Sequence, residues 1–256
     1  MAASASCTEV VLASSAEASC SSSCRQTSLQ LSLQMLVPGI RFRPVPHVEQ
    51  RFSWDCGLAC TLMVLQAAGI GAETLSSLHR RCRTSSIWTI DLAHLLRHFH
   101  IHVQFLTQMV GANPAYADER FYMEQLQEDT VRVRHLFETA SAKGIDLQCR
   151  SISAEELGKF LAIDGHVAIV LLDKGILTGS KAAVQARSCE QSESSYAGHY
   201  VVLTGFLPTS DRFLMLDPAL EPAALPVSST ALDAARKAFG TDEDLLLIQL
   251  PTIFTH

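Results

Sequence analysis

The sequence predicts an α+β fold, with helices from the N-terminal part of the chain packed on an antiparallel sheet from the C-terminal part. Apolar residues recur at helical spacing between Cys56 and Phe99. Three short runs of β-branched and aliphatic residues, HVAIVLLD, HYVVLTGF and RFLMLDPA, then dominate from His166 to Ala219. Ser210 and Asp211 supply a turn between the last two runs, as a hairpin requires. Strands and helices do not alternate in the βαβ manner, and no internal repeat is present.

Taken in order, residues 1–38 are rich in Ser and Ala, most of all in SSAEASCSSSC, and cannot bury enough apolar surface to offset the entropy of ordering. They are expected to form a disordered tail, and residues 39–256 a single domain. Pro44 and Pro46 imply an extended entry segment. CGLACTLMVLQAAGI then reads as a helix that Gly69 and Gly71 end. A second helix is expected over Thr74–Cys82 and a third over Thr89–Phe99, with Asp91 in its first turn and Leu92, Leu95, Leu96 and Phe99 on one face. IHVQFLT reads as a strand. Residues 117–143 read as two helices divided near Asp129, and Ser153 with Glu156 makes a capping box before a helix in SISAEELGKFLA. HVAIVLLD suits a strand buried on both faces, and the Gly/Ser-rich segment Lys174–Gly198 a long surface loop. After the hairpin, a last helix is expected over Ala231–Phe239, ending at Gly240, and DLLLIQL adds the final strand.

Composition narrows the function. A net charge of -6 over 256 residues, without a cluster of Lys and Arg, argues against nucleic-acid binding, which needs basic groups to displace counterions. No apolar run approaches the ~20 residues of a membrane span. The first residues lack the basic and apolar regions of a secretory signal, so the expected compartment is the cytoplasm; Arg25 is the only basic residue before Arg41, which weakens an organelle-targeting reading. The eight cysteines are then read as thiols, and none forms a CxxC pair of the zinc-binding kind.

One cysteine is placed differently from the rest. Cys56 follows Trp54 and Asp55 and opens the first helix, where unpaired N–H groups and the helix dipole favour a thiolate. A cysteine hydrolase needs such a thiol, a histidine to exchange protons with it, a polar residue to orient the ring, and donors for the oxyanion. His199 opens a predicted strand, Asp217 ends its neighbour, and Gln50 precedes Cys56 with an amide that could join the Cys56 N–H. The Cys-to-His distance falls in the ~130–150 residues of papain-like chains. Taken singly, a helix-opening cysteine is more often a small core residue, and Asp before Pro a common turn. Cys60 reads as packing. His94 and His98, four apart on a helix, lack the carboxylate of an HExxH metal motif and read as a polar face.

SWDCGLACTLMVLQ, SSIWTIDLAHLLRHF, GANPAYADERFYMEQLQED, GHYVVLTGF, LDPA and ARKAFGTDEDLLLI together resemble the guanylyl cyclase domain-containing family of eukaryotes, above all its plant and algal members, from about residue 44 to 250. The family name implies formation of cyclic GMP from GTP with Mg or Mn. Its Cys, His and Asp motifs resemble those of papain-like peptidases related to the bacteriocin-processing C39 group, and Gln50, Cys56, His199 and Asp217 match that pattern one by one. The resemblance thus implies a papain-like, C39-like cysteine peptidase fold and two competing activities. A hydrolase would cleave an amide, thioester or isopeptide bond of a peptide or modified protein through an acyl-enzyme, with no cofactor. A cyclase needs a triphosphate cradle and carboxylates for a divalent metal, yet GILTGSK at 175–181 sets its glycines too close for a P-loop and lacks GK[ST]. A third reading is a non-catalytic binding module on the same fold. Trp54 and Trp88 are candidates for a cleft wall and read equally well as core residues.

Overall fold

The computed structural model describes residues 44–112, 126–178, 196–221 and 224–251, and of 126–128 the backbone alone. The expected tail, residues 117–125 and most of the expected loop after Lys174 lie outside the described residues. In chain order the elements are α1 (Cys56–Ala67), α2 (Leu75–Cys82), α3 (Thr89–His98), β1 (His102–Thr107), α4 (Leu126–Ala140), β2 (Asp146–Cys149) and α5 (Ala154–Leu161). They continue as β3 (His166–Asp173), the short α6 (Lys174–Leu177), β4 (Gly198–Leu207), β5 (Arg212–Leu216), β6 (Leu225–Ser228), α7 (Ser229–Arg236) and β7 (Leu245–Gln249). None of these helices is long and apolar enough to cross a membrane.

The strands form one seven-stranded sheet in the order β2-β1-β7-β3-β4-β5-β6, antiparallel except where β1 meets β2. The last strand therefore lies inside the sheet and ties β1, from the first half of the chain, to β3. Alternation along β3 feeds two cores. Val167, Ile169 and Leu171 join the helices α1 to α4 on one face, and Ala168, Val170 and Leu172 join α5 and α7 on the other. The α+β class stands, but helices cover both faces of the sheet rather than forming one N-terminal layer. α1 is the most buried element: all of its residues except Gln66 are buried, so it has no solvent face.

Local chemistry explains where the elements begin and end. Thr74 caps α2 by accepting from the Ser77 N–H, while the Ser77 hydroxyl accepts from the Thr74 N–H. Ser153 caps α5 by accepting from the Glu156 N–H at 3.1 Å, but the expected reciprocal arm is missing because Glu156 is drawn to Arg150 at 2.8 Å. α4 runs unbroken through Asp129, against the expected division there; the Asp129 carboxylate has tertiary partners and does not compete with its own helix backbone. α6 opens the segment expected to be loop, capped by Asp173 through the Gly175 N–H at 2.9 Å. α7 begins at Ser229 and stops at Arg236, three residues short of Phe239. The sequence patterns did not announce β2 and β6. Both are short, partly exposed edge strands, and Pro226, without an N–H, suits an edge.

Phe105 is fully buried on β1 and stacks on Phe137 with ring centres 5.8 Å apart. Phe105→Ala is expected to cost about 3–5 kcal/mol, read as a fall in the urea midpoint at unchanged slope.

Candidate active site

Asp55 shapes the approach to Cys56. Its carboxylate, buried at the head of α1, accepts the N–H groups of Phe52 at 2.9 Å and Arg51 at 3.1 Å, which coils residues 51–54 over the helix start. Its carbonyl accepts the Ala59 N–H at 2.9 Å and begins the helix. Cys56 is the first helical residue, so its own N–H has no partner inside the helix. Gly57 brings α1 close to its neighbours: an added Cβ there would lie 3.0 Å from both Leu92 and Tyr200.

His199 is the second residue of β4, and Asp217 directly follows β5. Antiparallel pairing, with Val202 opposite Leu216, sets the start of one strand beside the end of the other. His199 Nε2–H donates to Asp217 Oδ1 at 2.6 Å. Cys56 lies near enough to the imidazole for its thiol to raise the His199 pKa. Asp217 Oδ1 accepts the Ala219 N–H as well, at 2.8 Å, and the Asp217 carbonyl accepts from His47 Nε2–H at 2.9 Å. Cys56, His199 and Asp217 are each at most 5% exposed.

Burial is the largest influence on His199 and by itself lowers its pKa. Hydrogen bonds to Asp217 and Cys56, with the charges of both, outweigh it and carry the imidazole up to about 9. Burial likewise acts to raise Asp217, but the His199 bond and charge, the Ala219 N–H and the Lys174 charge together hold it below the usual carboxylate range. The signs of the linked stabilities follow. The His199 contribution is complete below its unfolded pKa of ~6.5 and is lost as pH rises through about 9. The Asp217 contribution is present above its unfolded ~3.9 and is lost as pH falls through the lower folded value.

Gln50 is tied to the same region through its backbone, whose N–H donates to Pro218 O at 2.9 Å. Its side-chain amide donates to Phe52 O at 2.7 Å, and its Oε1 is buried without a hydrogen-bond partner among the described residues. The amide is therefore not engaged with the Cys–His–Asp chain, although Nε2 carries a second N–H. Cys60, one turn beyond Cys56, is fully buried; burial above all, then the charges of Cys56 and Asp217, push its thiol well up. Cys56, Cys60, Cys82 and Cys149 are free thiols. His94 bonds the Leu136 carbonyl at 2.9 Å and His98 faces Arg81 at 2.9 Å, so neither ring is paired with the other at a metal site.

Cys56 opens into a cavity of about 220 Å³. Trp54 and Trp88, the candidate cleft residues, both line it, with Tyr200, Leu171 and Ile87. Phe52 stacks on Trp54 at its rim, 5.6 Å away and within 3° of parallel. The opposite side carries Asp242 and Asp244, which the sequence motifs did not single out. Burial pushes Asp244 up to about 7, against the influence of the Thr89 and Thr107 hydroxyls and together with the Asp242 charge. Thr89 and Tyr200 are themselves hydrogen-bonded at 2.9 Å.

The Ser85–Trp88 wall is held from behind. Asp129 accepts from the Ser86 hydroxyl and, at 3.0 Å, from Trp88 Nε1–H. Arg132 binds both Asp129 and Asp91 and donates to Ser86 O at 3.0 Å. Burial raises Asp91 to about 6 despite the attraction of Arg132. Asp129→Ala is expected to destabilise the protein by about 1–3 kcal/mol. Amide hydrogen exchange should accelerate selectively at residues 85–89, while that of β3 and β4 changes only with the global stability.

Comparison with known proteins gives two different relations. A solved structure described as a putative C39-like peptidase from Bacillus anthracis resembles the fold with a TM-score of 0.49 at 13% identity, covering 82% of this chain and 96% of that one. Guanylyl cyclase 1 of Arabidopsis thaliana is 48% identical over 215 residues, which span 84% of this chain and 78% of that protein. The family profile described as guanylylate cyclase matches residues 45–248. By the extent of that match and by the identity to its plant relative, the chain belongs to the guanylylate cyclase family.

Proposed function

We propose that this family member is a papain-like cysteine hydrolase acting on an amide, thioester or isopeptide bond. The observation that carries the reading is the buried His199–Asp217 hydrogen bond, with Cys56 near enough to raise the His199 pKa, beside a cavity that Cys56 lines. Cys56 Sγ attacks the scissile carbonyl carbon as its proton passes to the His199 nitrogen facing it. The oxyanion is met by the Cys56 N–H, assisted by Gln50 Nε2 once substrate orders that amide. His199 then gives its proton to the departing amine or thiol, leaving a thioester on Cys56. Water, deprotonated by His199, releases the acid and restores the thiol. Asp217 keeps the Nε2–H in place and stabilises the imidazolium throughout.

The 48% identity to a protein named guanylyl cyclase supports a second reading, cyclisation of GTP with Mg or Mn. The Cys56 cavity opposes a triphosphate, since among the described residues Asp242 and Asp244 are its charged lining and no Lys, Arg or His lines it. Arg80, Arg81, Arg83 and Arg132 line a separate groove of about 480 Å³, where an anion would find cations.

Alkylation with iodoacetamide, mapped by mass spectrometry, tests the hydrolase. Cys56 should react at least about tenfold faster than the exposed Cys149, and His199→Ala should remove that advantage. Equal rates at the two thiols contradict the reading. Conversion of GTP to cyclic GMP that survives Cys56→Ser and falls in Arg80→Ala/Arg83→Ala would favour the cyclase instead. Neither activity, together with retention of a protein partner, would favour a binding module.

A further inference from the structure

We infer that the cavity beside Cys56 receives a cationic side chain of the substrate, a primary ammonium or a guanidinium on an alkyl stem, and that Asp244 selects it. The inference rests on the hydrolase reading of the same cavity and adds the class of substrate. Three observations support it.

First, charge is one-sided. Asp242 and Asp244 stand on the lining, and among the described residues the rest of the lining is neutral. Among the described residues no ion pair involves Asp244, and the side chains that lower its pKa, Thr89 and Thr107, carry neutral hydroxyls. Thr89 is 2% exposed and hydrogen-bonded to Tyr200, and Thr107 is fully buried with its hydroxyl donated to the Met109 carbonyl, so both are fixed in packing behind a cavity that Asp244 lines.

Second, the rest of the lining suits a stem. Trp54, Trp88 and Tyr200 offer aromatic faces, with Leu171 and Ile87 between them. Such surfaces accept methylene groups and attract a cation over the ring. A volume of about 220 Å³ is below the ~300–1,000 Å³ of pockets that hold whole small ligands, and fits one long side chain instead.

Third, Asp244 has unsatisfied demand for a counter-charge. Burial and the Asp242 charge hold its carboxyl up at about 7, so an arriving cation would favour the charged form. An acidic substrate side chain would meet repulsion from both carboxyls.

Two measurements with the same ligand series decide this. Acetyl-lysyl, acetyl-norleucyl and acetyl-glutamyl chloromethyl ketones alkylate a thiol by forming an S–CH2 bond as chloride leaves and the thiol proton passes to the base. Rates at Cys56 are expected to favour lysyl over norleucyl at least about tenfold, and over glutamyl by more. The lysyl-to-norleucyl ratio, taken within each protein, should fall toward one in Asp244→Asn. In parallel, calorimetry on Cys56→Ala with acetyl-lysine amide and acetyl-norleucine amide reads the cavity without any reaction. Tighter binding of the lysine amide is expected, whichever subsite the cavity serves.

Equal or weaker binding of the lysine amide overturns the inference. A lysyl advantage undiminished in a folded Asp244→Asn protein overturns the role of Asp244. If that variant does not fold, the ranking of the three ligands on the unsubstituted protein still decides the charge preference. Failure of the hydrolase reading is seen separately, as Cys56 reacting no faster than Cys149 with iodoacetamide while the calorimetric ranking stands.

Discussion

The 2.6 Å hydrogen bond between His199 and Asp217 depends on the register of two strands. β4 and β5 pair antiparallel with Val202 opposite Leu216 and an irregularity between Leu203 and Gly205, which sets the head of β4 beside the residue after β5. A slip of one residue would turn the side chains to the wrong faces and separate imidazole from carboxylate. The two cores resist that slip, because Val202 and Leu216 belong to one and Leu203 and Met215 to the other. The same packing holds α1 against β4, so that Cys56 on the first turn lies near enough to His199 to influence its pKa.

The cavity walls are fixed by buried polar groups rather than by the apolar cores alone. On one side Asp129 and Arg132 hold the segment carrying Ser86 and Trp88. On the other, Arg236 is 1% exposed and donates to Asp233 at 2.7 Å and to Ile152 O at 2.7 Å, while the Thr241 hydroxyl donates back to the Arg236 carbonyl. Gly240 has φ +98°, and a Cβ there would strike the Tyr196 ring at 2.6 Å, so glycine is required just before the acidic wall. Removing one partner from such a network leaves another buried and unsatisfied, which costs more than a surface contact. The cavity should therefore keep its shape in the absence of substrate, which lowers the entropy lost on binding.

Much of this architecture is written in local sequence. Helical spacing from Cys56 to Phe99, the Thr74 and Ser153 caps, and the aliphatic runs of β3, β4 and β5 each carry their own signal, and the family motifs from SWDCGLACTLMVLQ onward carry the relationship. Cys56, His199 and Asp217 could be named from residue type and element ends, but their meeting is a product of the β4–β5 register. Asp129 resembles a helix breaker in mid-segment as long as its distant partners, Ser86 and Trp88, are unknown. Asp244 escaped notice for a similar reason: an acid before LLLIQ marks only a strand start until tertiary packing brings Thr89 and Cys56 to the same cavity. Edge strands β2 and β6 lack the continuous apolar run that buried strands need.

The proposed hydrolase requires His199 to be held between Cys56 and Asp217 as one proton-transfer unit. Nitrogen-15 NMR of the His199 ring across pH 5–10 tests it most directly. The account predicts a titration midpoint near 9, falling toward the ordinary histidine value in Asp217→Asn and also in Cys56→Ala. A midpoint near ~6.5 in the unsubstituted protein, unmoved by either substitution, would contradict it.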